Sequence, residues 1–190
     1  RLGSLGLCLV AESNLQILNE EPQGNLGFLI IKVCCFGDCM KEYPHIQGSS
    51  KAPHLPCMAF YKYDGSNCRF EYNRKRGWYK FGTRTQLINE TDPVFGCVVG
   101  IFLETLAEGI EKVLRDKYRE RESAIVFAEF FGPRSFAGTH HHEDKKELVL
   151  FDVNPYKMGI LGPKEFVKNF GHLKSAEVVY EGNLNQQFIE

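Results

Sequence analysis

Lys62-Tyr63-Asp64-Gly65-Ser66-Asn67 gathers a nucleophilic amine, a carboxylate, a glycine and an amide within six residues. Nucleophilic catalysis is the chemistry such a set could do, with Lys62 forming a covalent bond to an electrophile. Only the free amine attacks. An unperturbed lysine, with a pKa of about 10.4, is unprotonated in roughly one molecule in a thousand near neutral pH, a penalty of about 4 kcal/mol. Burial, a neighbouring cation or a bound metal would each lower it. The elements that must hold this hexapeptide can be read on either side. Cys57-Met58-Ala59-Phe60-Tyr61 is apolar and predicts a buried strand, and Cys68 to Tyr72 alternates as a second one. Gly65 would let the backbone approach a ligand closely. The bland reading of the same residues is a solvated lysine beside an Asp-Gly turn, with Asp64 merely capping that turn.

Three further segments follow in order: Gly82-Thr83-Arg84-Thr85, Phe127-Ala128-Glu129-Phe130-Phe131-Gly132 and Leu148-Val149-Leu150-Phe151-Asp152-Val153. Together the four resemble the adenylylation domain of the covalent nucleotidyltransferases, which include ATP-dependent RNA ligases, DNA ligases and mRNA capping enzymes. The resemblance spans about residues 58 to 153, and the order is more specific than any one piece. DNA ligases and capping enzymes usually carry arginine five residues after the lysine, where this chain has Asn67. That asparagine, and Arg84 after the next hairpin, resemble the double-strand-sealing branch of the RNA ligases.

The resemblance implies that Lys62 attacks the α-phosphorus of ATP, expels pyrophosphate and becomes lysyl-AMP. It implies Asp64, Gly65, Glu129 and Phe151 as nucleotide-binding residues, with Glu129 on the ribose hydroxyls and Phe151 stacked on adenine. Asn67, Arg84 and Asp152 would bind phosphate and the RNA end, as AMP passes to a 5′-phosphate and a 3′-hydroxyl attacks. Magnesium or manganese is expected on the phosphates, its protein ligands unassigned. The residues also admit plainer roles. A phenylalanine in Leu-Val-Leu-Phe-Asp-Val is ordinary core, and Glu129 could pair with an arginine. Asp152, a charge in an apolar strand, should hold an arginine, a lysine or the metal.

The chain has 190 residues, 43% hydrophobic and 25% charged, which suits one soluble domain with a real core. No apolar run is long enough to span a membrane. Seven cysteines without disulfide-like spacing suggest reduced thiols and a cytoplasmic setting, and a monomer is expected. A net charge of −1 does not announce a nucleic-acid binder. Locally, residues 69–84 carry six basic side chains against Glu71, with Trp78, Tyr79 and Phe81 interleaved. That run suits a phosphate backbone, although Arg74, Lys75 and Arg76 read better as a solvated hairpin tip.

Residues 1–39 read as an extension of unclear role, with possible strands at Leu5 to Val10 and Leu26 to Val33, and residues 40–190 as a partial adenylylation domain. Cys34, Cys35 and Cys39 lack a partner pair at zinc spacing. One amphipathic helix is predicted between Phe102 and Glu122, with Leu103, Leu106, Ile110, Val113 and Leu114 on its apolar face. Ala124 to Phe131 and Leu148 to Val153 read as buried strands, with a solvated His140-His141-His142 loop between them. A helix should start at Gly162-Pro163 and stop at Gly171. The expected fold is α+β, an ATP-grasp-like adenylylation domain of antiparallel sheets flanked by helices. Two family motifs expected after Phe151-Asp152, a Glu-Gly followed closely by lysine and a pair of lysines, are not found. Glu181-Gly182 reads as a turn, and the chain as a fragment that is weak or inactive alone. The alternatives are a DNA ligase or capping-type enzyme, which Asn67 disfavours, and a nucleic-acid-binding module without transfer chemistry.

Overall fold

The computed structural model describes residues 7–11, 43, 56–135 and 140–183. The strands are β1 (Leu7–Ala11), β2 (Pro56–Tyr61), β3 (Ser66–Asn73), β4 (Gly77–Thr83), β5 (Leu87–Ile88), β6 (Ser123–Phe131), β7 (Glu147–Pro155) and β8 (Val178–Asn183). The helices are α1 (Gly96–Thr105), α2 (Ala107–Lys117) and α3 (Pro163–Phe170). Two antiparallel sheets result, one ordered β1-β2-β8 and one β5-β4-β3-β6-β7. The α+β expectation with mainly antiparallel sheets therefore holds.

Alternation along the strands gives the five-stranded sheet two unlike faces. Cys68, Phe70 and Tyr72 of β3, Val126, Ala128 and Phe130 of β6, and Leu148 and Leu150 of β7 point into the main core. There Phe70 stacks on Phe102 of α1 at 3.8 Å between ring centroids, and Trp78 meets the same ring edge-on. Asn67, Arg69 and Glu71 pair across the ladder with Glu129, Phe127 and Ile125 and share the opposite face. Two of the candidate site residues, Asn67 and Glu129, lie on that second, more polar face.

The single predicted helix is two. It begins earlier, at Gly96, and its axis breaks at Leu106, although Leu106 N–H still donates to the Phe102 carbonyl and Ile110 N–H to that of Leu106. The Thr105 hydroxyl donates to the Ile101 carbonyl at 2.6 Å, a back-bond that bends helices. Leu106, Ile110, Val113 and Leu114 are buried as predicted, whereas Leu103 is exposed. α3 starts on Pro163 and ends at Gly171, as its sequence indicates.

Glu181-Gly182 is not a turn but part of β8, where Met58 and Cys57 pair with Glu181 and Gly182. Tyr180 bends its hydroxyl over Gly182 to donate to the Asn183 carbonyl, and a Cβ at residue 182 would stand 2.5 Å from that oxygen. The basic run is also rearranged. Arg69 is buried, Trp78 and Phe81 pack against the core, and Arg76 lies over the Tyr79 ring. Arg74 is not a solvated tip residue: its guanidinium donates to the carbonyls of Arg121 and Leu114 at the end of α2. A continuous solvent-facing strip of bases and aromatics is therefore not formed. β1, from the expected extension, pairs with Cys57 to Tyr61 of β2, while Leu26 to Val33, Cys34, Cys35 and Cys39 lie outside the described residues. His141 and His142 are exposed, and no helix is long and apolar enough to cross a membrane among the described residues.

Candidate active site

The short link from β2 to β3 carries Lys62, and its position is set by Gly65. The Gly65 backbone lies so close to β6 that a Cβ there would stand 2.3 Å from the Phe130 carbonyl oxygen. Real side chains do not tolerate that approach, so glycine is required for packing on the protein's own strand. The same contact lets the Gly65 N–H donate to Glu129 Oε1 at 3.2 Å. Lys62 and Asp64 are exposed beside it. Asn67, the first outward residue of β3, is the ladder partner of Glu129.

Glu129 is the electrostatic centre of the group. Burial pushes its carboxyl up to about 7, against the pull of Lys62, the Gly65 amide and Arg84; Asp64 adds to the rise. Lys62, Asp64, Arg84 and Glu129, spread over 68 positions of sequence, thus share one field. Arg84 reaches it from an exposed turn after β4, closed by Thr83 N–H to the Gln86 carbonyl and by Gln86 N–H to Thr83 Oγ1. Beneath this group Arg69 Nε faces Glu71 Oε1 at 3.7 Å, and the Tyr79 hydroxyl donates to Glu71 Oε2. Gly82 leaves room for the guanidinium, since a Cβ there would meet Arg69 at 2.8 Å.

Phe151 and Asp152 form a second cluster on β7. In the β6–β7 ladder Phe127 pairs with Asp152 and Ala128 with Leu150, so Phe151 is the extra residue of a bulge. A bulge brings two successive side chains toward one face. Accordingly Tyr43 touches both: its ring meets Phe151 edge-to-face at 5.1 Å and Phe127 at 5.0 Å, and its hydroxyl donates to Asp152 Oδ2. Burial pushes the Asp152 carboxyl up to about 7, and the Tyr43 hydroxyl draws it back. The partner found for Asp152 among the described residues is thus a tyrosine, where an arginine, a lysine or a metal was expected. Phe127 lies two residues from Glu129 on β6, so the two clusters are about 7 Å apart along the strand.

Sequence reasoning missed Tyr43, Arg69 and Glu71 as parts of the site. The charges of Arg69 and Glu71 at alternate positions among Cys68, Phe70 and Tyr72 signal a polar buried face. Tyr43, 109 residues before Asp152, carries no spacing signal at all. The described residues assemble no group of three His, Cys, Asp or Glu that could hold a metal ion.

The sequence matches no protein-family profile and no curated protein. Among solved structures it is similar to a Naegleria gruberi RNA ligase variant with ATP and Mn, at a TM-score of 0.49 and 14% identity, over 68% of this chain and 38% of that one. A second variant of that enzyme, with AMP and Mn, gives the same figures, and an apo variant gives 0.49 and 15% over 68% and 37%. The chain spans less than two-fifths of the length of these structures. At this level of likeness nothing about chemistry follows. What the residues can do comes from their own arrangement: an exposed amine and an exposed guanidinium act on a half-buried carboxylate with one oxygen already engaged.

Proposed function

We propose that this chain carries the nucleotidyl-transfer site of an ATP-dependent RNA ligase. The observation that supports it best is the convergence of Lys62, Asp64, Gly65 and Arg84 on Glu129. In this reading Lys62 Nζ attacks the α-phosphorus; the N–P bond forms, the bond to pyrophosphate breaks, and the amine loses a proton. Glu129, with Oε1 held by the Gly65 amide, offers Oε2 to the ribose hydroxyls. Arg84, and Asn67 beside Glu129, are placed for phosphate, first of the nucleotide and then of the RNA 5′ end. A 5′-phosphate oxygen then displaces Lys62 from phosphorus, and the 3′-hydroxyl of the second strand displaces AMP.

Magnesium or manganese would supply charge neutralisation on the phosphates. With no preformed three-ligand cage among the described residues, it would enter with the nucleotide, as oxygen-loving ions do in phosphoryl transfer. Asn67 favours RNA ligation over DNA ligase or capping chemistry.

The test uses the longest natural polypeptide containing these residues, incubated with α-labelled ATP or GTP and divalent metal, beside Lys62→Ala. A covalent AMP adduct that depends on Lys62 and prefers ATP is the expected result. A GTP preference points to capping chemistry, and the absence of any adduct while RNA binding persists leaves a binding module.

A further inference from the structure

Asp152 is expected on the phosphate side of the chemistry, yet the side chain that hydrogen-bonds it is Tyr43. The carboxylate is buried, and the hydrogen bond that it accepts comes from a residue outside the four recognisable segments. The Tyr43 ring stands at 82° to Phe151 and at 72° to Phe127, so one residue touches both aromatics and the acid. A crevice lined by Tyr43, Phe60, Tyr61, Phe151, Asp152 and Phe166 lies alongside. Phe151 is only half-buried, and its open part is what a base would use.

We infer that Tyr43 and Asp152 act as a pair of positioning residues that seat the Phe151 ring for the nucleobase, and that Asp152 does not contact phosphate. This rests on the proposed nucleotide site and assigns it a base-orienting support. The bulge explains the need for one: Phe151 has no ladder partner, so its orientation is held by side chains rather than by the sheet. An aromatic platform stacks well only when its plane is fixed.

The test is equilibrium binding of ATP and of inorganic tripolyphosphate to the longest natural polypeptide containing these residues, as the unsubstituted chain and as Tyr43→Phe, Asp152→Asn and the double variant. Tyr43→Phe keeps the ring and loses only the hydroxyl, so it should fold; thermal midpoints check this. Each single variant should weaken ATP about tenfold while changing tripolyphosphate less than twofold, and the double variant should be no worse than either single one. Tripolyphosphate lost in parallel with ATP would overturn the inference, as would single variants that leave ATP unchanged or effects that multiply in the double variant. In those cases ATP binding by the unsubstituted chain keeps the nucleotide site standing. No ATP binding by the unsubstituted chain overturns both.

Discussion

At the scale of single residues the site is organised by what Gly65 and Glu129 do to each other. Gly65→Ala must push the loop off the Phe130 carbonyl, at a cost of about 1–3 kcal/mol in stability. The loss in adduct formation should exceed tenfold, because the Gly65 amide leaves Glu129 as Lys62 moves. A Gly65→Ala protein with unchanged adduct rate would show that Lys62 is positioned by something else. Glu129→Gln probes the ribose. It should weaken ATP about tenfold and erase much of the preference for ATP over 2′-deoxy-ATP. Equal weakening of both nucleotides would place Glu129 away from the sugar. These residues were legible because each sits in a short motif whose neighbours are fixed by strand ends. Tyr43 was not, since a contact between residues so far apart leaves no local pattern.

At the scale of elements, strands were easier to read than breaks. The runs from Cys57 to Tyr61, Cys68 to Tyr72 and Ala124 to Phe131 lie within β2, β3 and β6, the first and last as continuous apolar runs buried along most of their length and the second through its alternation. The break at Leu106 escaped notice because the apolar spacing continues through it. Gly182 was misread because glycine signals a turn by default. Arg74 shows how a side chain at a hairpin tip can serve an element elsewhere. Its bonds to Arg121 and Leu114 complement the carbonyl end of α2 and tie the β3–β4 hairpin to it. Arg74→Ala should cost about 1 kcal/mol in chemical denaturation and leave nucleotide binding intact. A loss of RNA or ATP binding without loss of stability would return Arg74 to the ligand surface.

For the whole molecule, two buried carboxyls set the pH dependence. Glu129 rises from an ordinary 4.5, and Asp152 from 3.8, each to about 7. Between the ordinary and the folded values, the folded state holds more protons than the unfolded one, so stability falls as pH rises from about 4 to about 7 and levels off above. The effect is on the order of 1–3 kcal/mol per group. Glu147, held low by Lys174 and Lys145, works in the opposite sense, but only as pH falls below its ordinary 4.5. Denaturation midpoints at pH 5 and pH 8 should therefore favour pH 5, and combining Glu129→Gln with Asp152→Asn should flatten the difference. A steeper dependence in the double variant would assign the titration to other groups.

Between the two sheets, Leu150 of β7 pairs with Ser175 just before β8, and the Leu150 N–H donates to the Lys174 carbonyl. The link bearing Lys62 is covalently continuous with both sheets; Gly65 and Tyr63 fasten it to the five-stranded one, through Glu129 and Phe131, while Tyr63 also meets Tyr61 of β2. Mechanically, Lys62, the proposed nucleophile, travels with the larger sheet. If β1, β2 and β8 were to open together as a low-stability unit, the amides of Gly65 and Ser66 would keep the slow hydrogen exchange of β6 while those of β2 lost it. The amine would then stay registered with its carboxylate while the wall beside it came and went.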